Sequence, residues 1–258
     1  MTSTTSAPNA RPSILVVLGH PRSDSLCAAI ADSYAAGARA AGADVTVLRL
    51  GETDFDLASR VHSLQRWLGP DQDPAREPEV EAMVAAVHAA DHIVLVFPQW
   101  WGTYPAILKG WIDRVILSRS AFSYRSGSSL WDKHLTGRTA RIIMTMDSPG
   151  WWDTIRYHRA AIRSLTHATL GYCGVRTIRT TRHARVRFST PERRAAWIAQ
   201  AERQGRADGA RTPKVRRAAR PAAAKLTSQQ PVAEATSQPL AAEPMSQPLA
   251  AEPALDRD

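Results

Sequence analysis

At 258 residues with 44% hydrophobic content, the chain has material for one substantial domain or two small ones, each with a real core. Its net charge of +9 suits an anionic partner such as a nucleotide, a nucleic acid or a membrane surface, although part of that excess sits in a terminal segment. Two cysteines, Cys27 and Cys173, exclude a disulfide framework and a cysteine-based zinc site, and no metal is expected. The early apolar run Ile14 to Leu18 is too short for a signal h-region or a membrane span, so the chain reads as cytoplasmic, with no stable membrane insertion.

Residues 1–12 are polar and read as disordered. Ser13 to Gly19 is an aliphatic run of strand length, followed by a turn and a helix from about Leu26 to Ala41. Asp44 to Leu50 is the second strand. Residues 59–77, with Pro70, Pro74 and two aspartates around Trp67, read as an irregular excursion long enough to help seat an adenine. Pro78 opens a helix through Val80, Met83, Val84 and Val87, and Asp91 to Phe97 is the third strand. A helix with Ile107, Leu108, Trp111 and Ile112 on one face then runs from Pro105 to about Leu117. The segment 118–136, carrying Phe122, Tyr124 and Trp131, reads as a long loop placed to lid a site.

Arg138 to Met146 is the fourth strand, with a helix from roughly Thr154 to Thr169 behind it. Val175 to Thr181 is the fifth strand, and Thr190-Pro191-Glu192 caps a helix to about Gln204. Five strands alternating with five helices predict an α/β, doubly wound parallel sheet of order 2-1-3-4-5 over residues 13–205. Residues 206–258 differ in kind. Arg206 to Lys225 holds seven Lys or Arg against one acid, then SQPLAAEP occurs twice in a Pro, Ala, Gln and Glu-rich stretch. This reads as a disordered tail whose basic part is able to contact anionic surfaces.

Three loops carry chemistry. After the first strand, Gly19-His20-Pro21-Arg22-Ser23-Asp24-Ser25 leads into a helix N-terminus, where free N–H groups, two serines, Arg22 and His20 can cradle a phosphate. Ser23 or Asp24 could equally be an ordinary N-cap. The dinucleotide fingerprint G-x-G-x-x-G is absent, which ranks a nicotinamide-Rossmann reading second, although Glu52 stands where a ribose-binding acid would be. After the third strand comes FPQWWGTYPAILKGWIDRV, Phe97 to Val115, with adjacent tryptophans in a Pro-bounded loop. After the fourth comes MDSPGWW. In the 2-1-3-4-5 order these loops converge at the switch point, and a phosphate cradle beside four tryptophans suits a flavin nucleotide.

GHPRSDS followed by FPQWWGTYPAILKGWIDRV resembles the NAD(P)H:quinone oxidoreductases of the flavodoxin-like fold, over residues 13–204, with Pro105 to Trp111 the strongest element. The resemblance implies an enzyme using bound flavin, FAD or FMN, and NAD(P)H as co-substrate, with a quinone-like acceptor reduced by a ping-pong mechanism. It implies that His20, Ser25, Leu26 and Cys27 bind flavin phosphate, and that Pro98, Gln99, Trp100 and Trp101, with Gly102, lie along the ring. Asp147, Ser148 and Gly150 would border the ring opposite, where many members carry Thr-Thr-Gly-Gly. Phe122 and Tyr124 match an aromatic pair on the substrate side, usually reached across a dimer, which implies a homodimer. Tyr157 and His158 are adjacent here, whereas the vertebrate enzymes space a Tyr and a His six residues apart, so no relay is assigned to them. No side chain need act as general acid or base. A non-enzymatic flavin protein, carrying electrons or regulating a membrane transporter, and an azo or nitro reductase using the same pocket are the alternatives.

Overall fold

The computed structural model describes residues 11–57 and 78–211. The excursion at 59–77, the first ten residues and the tail from 212 onward lie outside them. Five strands, β1 (Ser13–Leu18), β2 (Asp44–Arg49), β3 (His92–Pro98), β6 (Thr139–Thr145) and β7 (Arg176–His183), form one sheet in the order β2-β1-β3-β6-β7. Every pairing in it is parallel. With the short strands β4 (Phe122–Tyr124) and β5 (Trp131–Lys133) set aside, this is the predicted 2-1-3-4-5 order.

The sequence of each strand follows from its place. β1, β3 and β6 are covered on both faces and are almost wholly buried, which is why they read as unbroken apolar runs. β2 and β7 are edges, only partly buried, and they carry polar residues between the apolar ones. Alternate residues of the central strands feed two cores. Leu15, Val17, Ile93, Leu95 and Phe97 pack under α2 (Pro78–Ala89) and α3 (Ala106–Val115) on one face. Ile14, Val16, Val94, Val96 and Ile143 pack under α1 (Leu26–Ala40) on the other.

Three segments differ from their sequence reading. Residues 118–136 are an antiparallel hairpin, β4 against β5, in which Tyr124 faces Trp131. The helix expected from Thr154 begins at Gly150 as α4 (Gly150–Ile155). It breaks where His158 and Arg159 turn left-handed (φ 49° and 54°), then resumes as α5 (Ala160–Arg163) and widens into a π-helical stretch over Ser164–Gly171. The last helix, α6 (Pro191–Gly209), runs past Gln204 because its final turns are packed and not fraying. A Cβ on Gly205 would lie 1.9 Å from the Tyr34 carbonyl oxygen, and one on Gly37 2.1 Å from that of Glu202. α1 and α6 therefore touch backbone to backbone, which only glycine permits.

That contact brings Asp208 into the interior. Its Oδ2 accepts from the Tyr34 hydroxyl at 2.8 Å and from Arg141 Nε at 2.6 Å, with His92 Nε2 at 3.4 Å. Burial opposes ionisation of this carboxyl, but His92 and Arg141 together outweigh it and hold the pKa below the usual carboxylate range.

His183, at the end of β7, is buried and stacked on Trp197 with ring centroids 4.8 Å apart. Burial, aided by the charge of Arg193, lowers its pKa from 6.5 to about 4. The unfolded chain thus binds the proton first on acidification. The stability held by neutral His183 is complete above pH 6.5 and is lost as pH falls toward 4. We expect a His183→Phe variant, which keeps the stacking, to show an unfolding free energy that depends less on pH between 6.5 and 4 than the parent's, by at most about 1.4 kcal/mol per pH unit in urea denaturation.

Candidate functional site

In a parallel sheet the carboxyl ends of neighbouring strands lie side by side, so the loops after β1, β3 and β6 meet at one edge. After β1, the Gly19 N–H donates to the Val96 carbonyl at 2.8 Å, and Ser25 caps α1 by accepting from the Ala28 N–H at 3.2 Å. Ser25 is therefore the N-cap, and neither Ser23 nor Asp24 is. Those two are exposed, and Asp24 pairs with Arg22 at 3.2 Å. The first turn of this fifteen-residue helix holds no acid, and its N–H groups ahead of Ala28 have no intrahelical acceptor.

His20 Nδ1 accepts from the Arg22 N–H at 2.9 Å, which leaves the proton on Nε2 as an outward donor. Burial lowers the pKa of this ring, so the neutral donor form is the one present near pH 7. Leu26 is partly buried against the α1-side core. Cys27 is buried with Sγ 3.2 Å from Thr145 Oγ1, and burial pushes its thiol up to about 12. Its side chain is core, so only its N–H can face a ligand.

After β3, Pro98 is buried and Gln99 is a strut. The Gln99 N–H donates to the Thr145 carbonyl at 2.7 Å, its Nε2 to Asp153 Oδ1 at 2.6 Å, and its Oε1 accepts from Ser148 Oγ at 3.2 Å. Trp100 and Thr103 then close a tight turn with reciprocal backbone bonds of 2.9 and 3.0 Å. Trp101 and Gly102 occupy its corners at φ 51° and 77°. Both corners of such a primed turn are left-handed, which suits Gly102 and strains a bulky residue by roughly 1–3 kcal/mol. Trp101 bears that strain with its ring fully in solvent. Trp100 is half exposed and meets His20 edge-on at 5.7 Å, joining the first loop to the second.

After β6, Asp147 turns away from the cluster, accepting from the Arg187 N–H at 2.8 Å. Pro149, which has no N–H, precedes α4, and the space beside Gly150 is open. Asp153 is fully buried and takes Arg182 Nη1 at 2.8 Å beside the Gln99 amide, so the second and third loops are locked by one carboxylate. Trp151 and Trp152 meet edge-on at 5.4 Å, and Trp152 meets Tyr157 at 6.4 Å. The Tyr157 ring lies 3.6 Å from where a Cβ of Gly102 would be, so it borders the Trp101 turn.

Phe122 and Tyr124 are elsewhere. Their hairpin is tied to Tyr172 and Cys173, just before β7: the Leu135 N–H donates to the Cys173 carbonyl at 3.0 Å and Trp131 Nε1 to that of Tyr172 at 2.8 Å. This is the amino end of the sheet, roughly 20 Å of strand from the three loops, so the hairpin does not cover them within one chain. Sequence reasoning missed Asp153 and Arg182 as site-forming residues, and it named Tyr157 without giving it a role. Asp153 directly follows the tryptophan pair, but nothing in the sequence marks a carboxylate as buried.

The donor set fits a phosphate-bearing planar ring. Free helix N–H groups and His20 Nε2 face one end, and a strained, exposed indole stands at the other. The Trp101 and Gly102 N–H groups have no acceptor among the described residues.

A family model described as Flavodoxin-like fold matches residues 12–208. An uncharacterized NAD(P)H oxidoreductase of Escherichia coli strain K12, YcaK, is 38% identical over 102 residues, covering 40% of this chain and 51% of that protein. The ribosyldihydronicotinamide dehydrogenase [quinone] of Rattus norvegicus is 34% identical over 125 residues, 43% of this chain and 51% of the rat protein. The match thus spans about half the length of these curated relatives. The crystal structure of Smu.1420 from Streptococcus mutans UA159 superposes with a TM-score of 0.62 at 26% identity, covering 76% of this chain and 99% of that one.

Proposed function

The chain belongs to the Flavodoxin-like fold family, and from that premise we propose that it is a flavin-dependent NAD(P)H oxidoreductase that reduces a quinone or similar acceptor. The observation that carries this reading is the meeting, at one sheet edge, of an acid-free helix N-terminus with an exposed, strained Trp101. The names of the relatives, an NAD(P)H oxidoreductase and a quinone-linked dehydrogenase, agree with it. Bound flavin, FAD or FMN, would supply the hydride-transfer chemistry between NAD(P)H and the acceptor, the two binding in turn in a ping-pong mechanism.

The residues of the chain bind and orient. The α1 N-terminus with Ser25 and His20 Nε2 would hold the phosphate, Trp100 and Trp101 would flank the ring, and the N–H groups of Trp101, Gly102 and Gly150 would stabilise charge gained on reduction. Gln99 and Ser148 act through the Asp153 lock, holding the second and third loops at a fixed spacing. Purified protein should be yellow, should bleach with NADH or NADPH, and should recover its colour with a quinone. Colourless protein that takes up no added FMN or FAD would defeat the reading, and mass spectrometry of the released flavin identifies which one is used.

The same reading makes the enzyme a homodimer. The hairpin cannot reach its own chain's loops, yet it presents Tyr124 at 65% exposure beside Phe122, in a cluster with Tyr172 and Trp131. Such an aromatic face has a use at the site of a second copy. Sedimentation should show a dimer. Tyr124→Ala should lower kcat/KM for the quinone by about tenfold, the loss of one buried aromatic contact, while flavin content stays at the parent level.

A further inference from the structure

Four of the five non-glycine residues with positive φ among the described residues, Trp101, His158, Arg159 and Arg185, lie on loops at the carboxyl end of the sheet. Strain of this kind persists where surrounding structure enforces it, and it gathers at binding sites. Trp101 belongs to the site already described. The consecutive left-handed pair His158-Arg159 does not, and it is firmly held: the Arg159 N–H donates to the Asp153 carbonyl at 2.8 Å and the Ala160 N–H to that of Tyr157 at 2.8 Å. This turn keeps Tyr157 against the Gly102 corner and sets Arg156 and Arg159 on either side of it, both exposed.

The charge here is unbalanced. Residues 147–160 and 182–188 contain five arginines and two carboxylates. Each carboxylate is already engaged, Asp153 by Arg182 at 2.8 Å and Asp147 by Arg187 at 3.4 Å. Arg156, Arg159 and Arg185 have no carboxylate partner among the described residues. The Arg156 guanidinium lies over the Trp152 ring, 5.6 Å from its centroid, which holds the head group in place without using its donors. Arg159 Nε reaches Thr154 Oγ1 only at 3.4 Å, so its two terminal nitrogens are open. Ring contacts lead from Arg156 to Trp152 and on to Tyr157, whose ring borders the Trp101-Gly102 turn.

We propose that Arg156 and Arg159 recognise an anionic group on the electron acceptor, so that the site favours aromatic acceptors bearing a carboxylate or sulfonate over neutral ones. The inference rests on the flavin-reductase reading for the identity of the reaction, but the anion subsite itself is a property of the chain. An aromatic acceptor lying beside Trp101 and Tyr157 would direct a ring substituent toward the Arg156–Arg159 turn, where the planar fork of a guanidinium matches the oxygens of a carboxylate or sulfonate.

The test is the double variant Arg156→Gln/Arg159→Gln, assayed with 1,2-naphthoquinone-4-sulfonate and with neutral menadione. The ratio of kcat/KM for the sulfonate to that for menadione should fall about ten- to a hundredfold, the worth of one or two hydrogen bonds to a charged group. Equal losses with both quinones, or a loss confined to KM for NADH or NADPH, would overturn the proposal, the latter by assigning the arginines to the nucleotide phosphates. Binding of redox-inert naphthalene-1,5-disulfonate, followed by quenching of tryptophan fluorescence, gives a readout free of turnover. The parent should bind it and the variant should bind it at least about tenfold more weakly, whereas equal binding counts against the subsite. If the protein takes up no flavin, the reductase reading fails while the disulfonate titration still decides the subsite.

Discussion

Asp208→Ala is expected to lower the stability of the domain by about 3–5 kcal/mol, the range for removing one partner of a buried ion pair. The carboxylate is the common acceptor for the Tyr34 hydroxyl and Arg141 Nε, with His92 beside it, and its side chain has no exposure. Without it, the Arg141 guanidinium, only 7% exposed on a central strand, stays charged with no counter-ion. Urea denaturation at pH 7 should show the loss as a lower midpoint with the slope little changed. The double variant Asp208→Ala/Arg141→Met should recover a large part of it, because the stranded charge is then gone. A single variant as stable as the parent would show that the network contributes nothing. The pH dependence has a definite sign. The folded pKa is depressed, so the contribution of Asp208 is complete above the unfolded carboxylate value near pH 4 and is lost only below it. The acid loss between pH 6.5 and 4 therefore comes from buried histidines, His183 most strongly shifted among them, and leaves Asp208 intact.

Asp153→Ala should act on the site as well as on stability. Asp153 is fully buried and joins Gln99 on the loop after β3 to Arg182 on β7. Its removal leaves Gln99 Nε2 without its acceptor and the Arg182 guanidinium without its counter-ion, at a cost of about 3 kcal/mol, near the low end of the range because Arg182 is partly exposed and keeps Thr154 Oγ1 at 3.0 Å. The loops then lose their fixed spacing. A displacement of about 1 Å at a reacting centre is enough to cost about a hundredfold in rate, so kcat/KM should fall by that order even in molecules that remain folded. Circular dichroism confirms folding, and flavin content separates loss of the cofactor from loss of positioning. Full activity in a folded Asp153→Ala protein would show that the lock is dispensable.

The sequence by itself determined the sheet. Central strands buried on both faces must be apolar throughout, edge strands need not be, and SILVVL, HIVLVFP and ARIIM stand out from DVTVLR and RTIRTTRH for that reason. It also determined which loops share an edge, because parallel topology places every βα loop at the carboxyl ends of the strands. His20, Ser25, Trp100 and Trp101 were legible as candidates on those grounds. Only the tertiary structure decided what each of them does. Cys27 proved to be core because α1 packs its first turn on Thr145, and Gln99 proved to be a strut because a buried carboxylate lies 2.6 Å away. Asp147 is turned outward by Arg187, and Phe122 and Tyr124 stand at the far end of the sheet because α3 has carried the chain back before the hairpin forms. Asp208 and Gly209 read as the start of a tail because the stretch from Arg206 onward is basic and carries no apolar period. Their burial depends on α1, some 170 residues earlier in the chain, and Tyr34 to Asp208 spans 174 positions. Local sequence reports propensity and period. Which polar group finds its partner across the fold is set by long-range packing, and in this chain that packing fixes both the shape of the site and the charge on its rim.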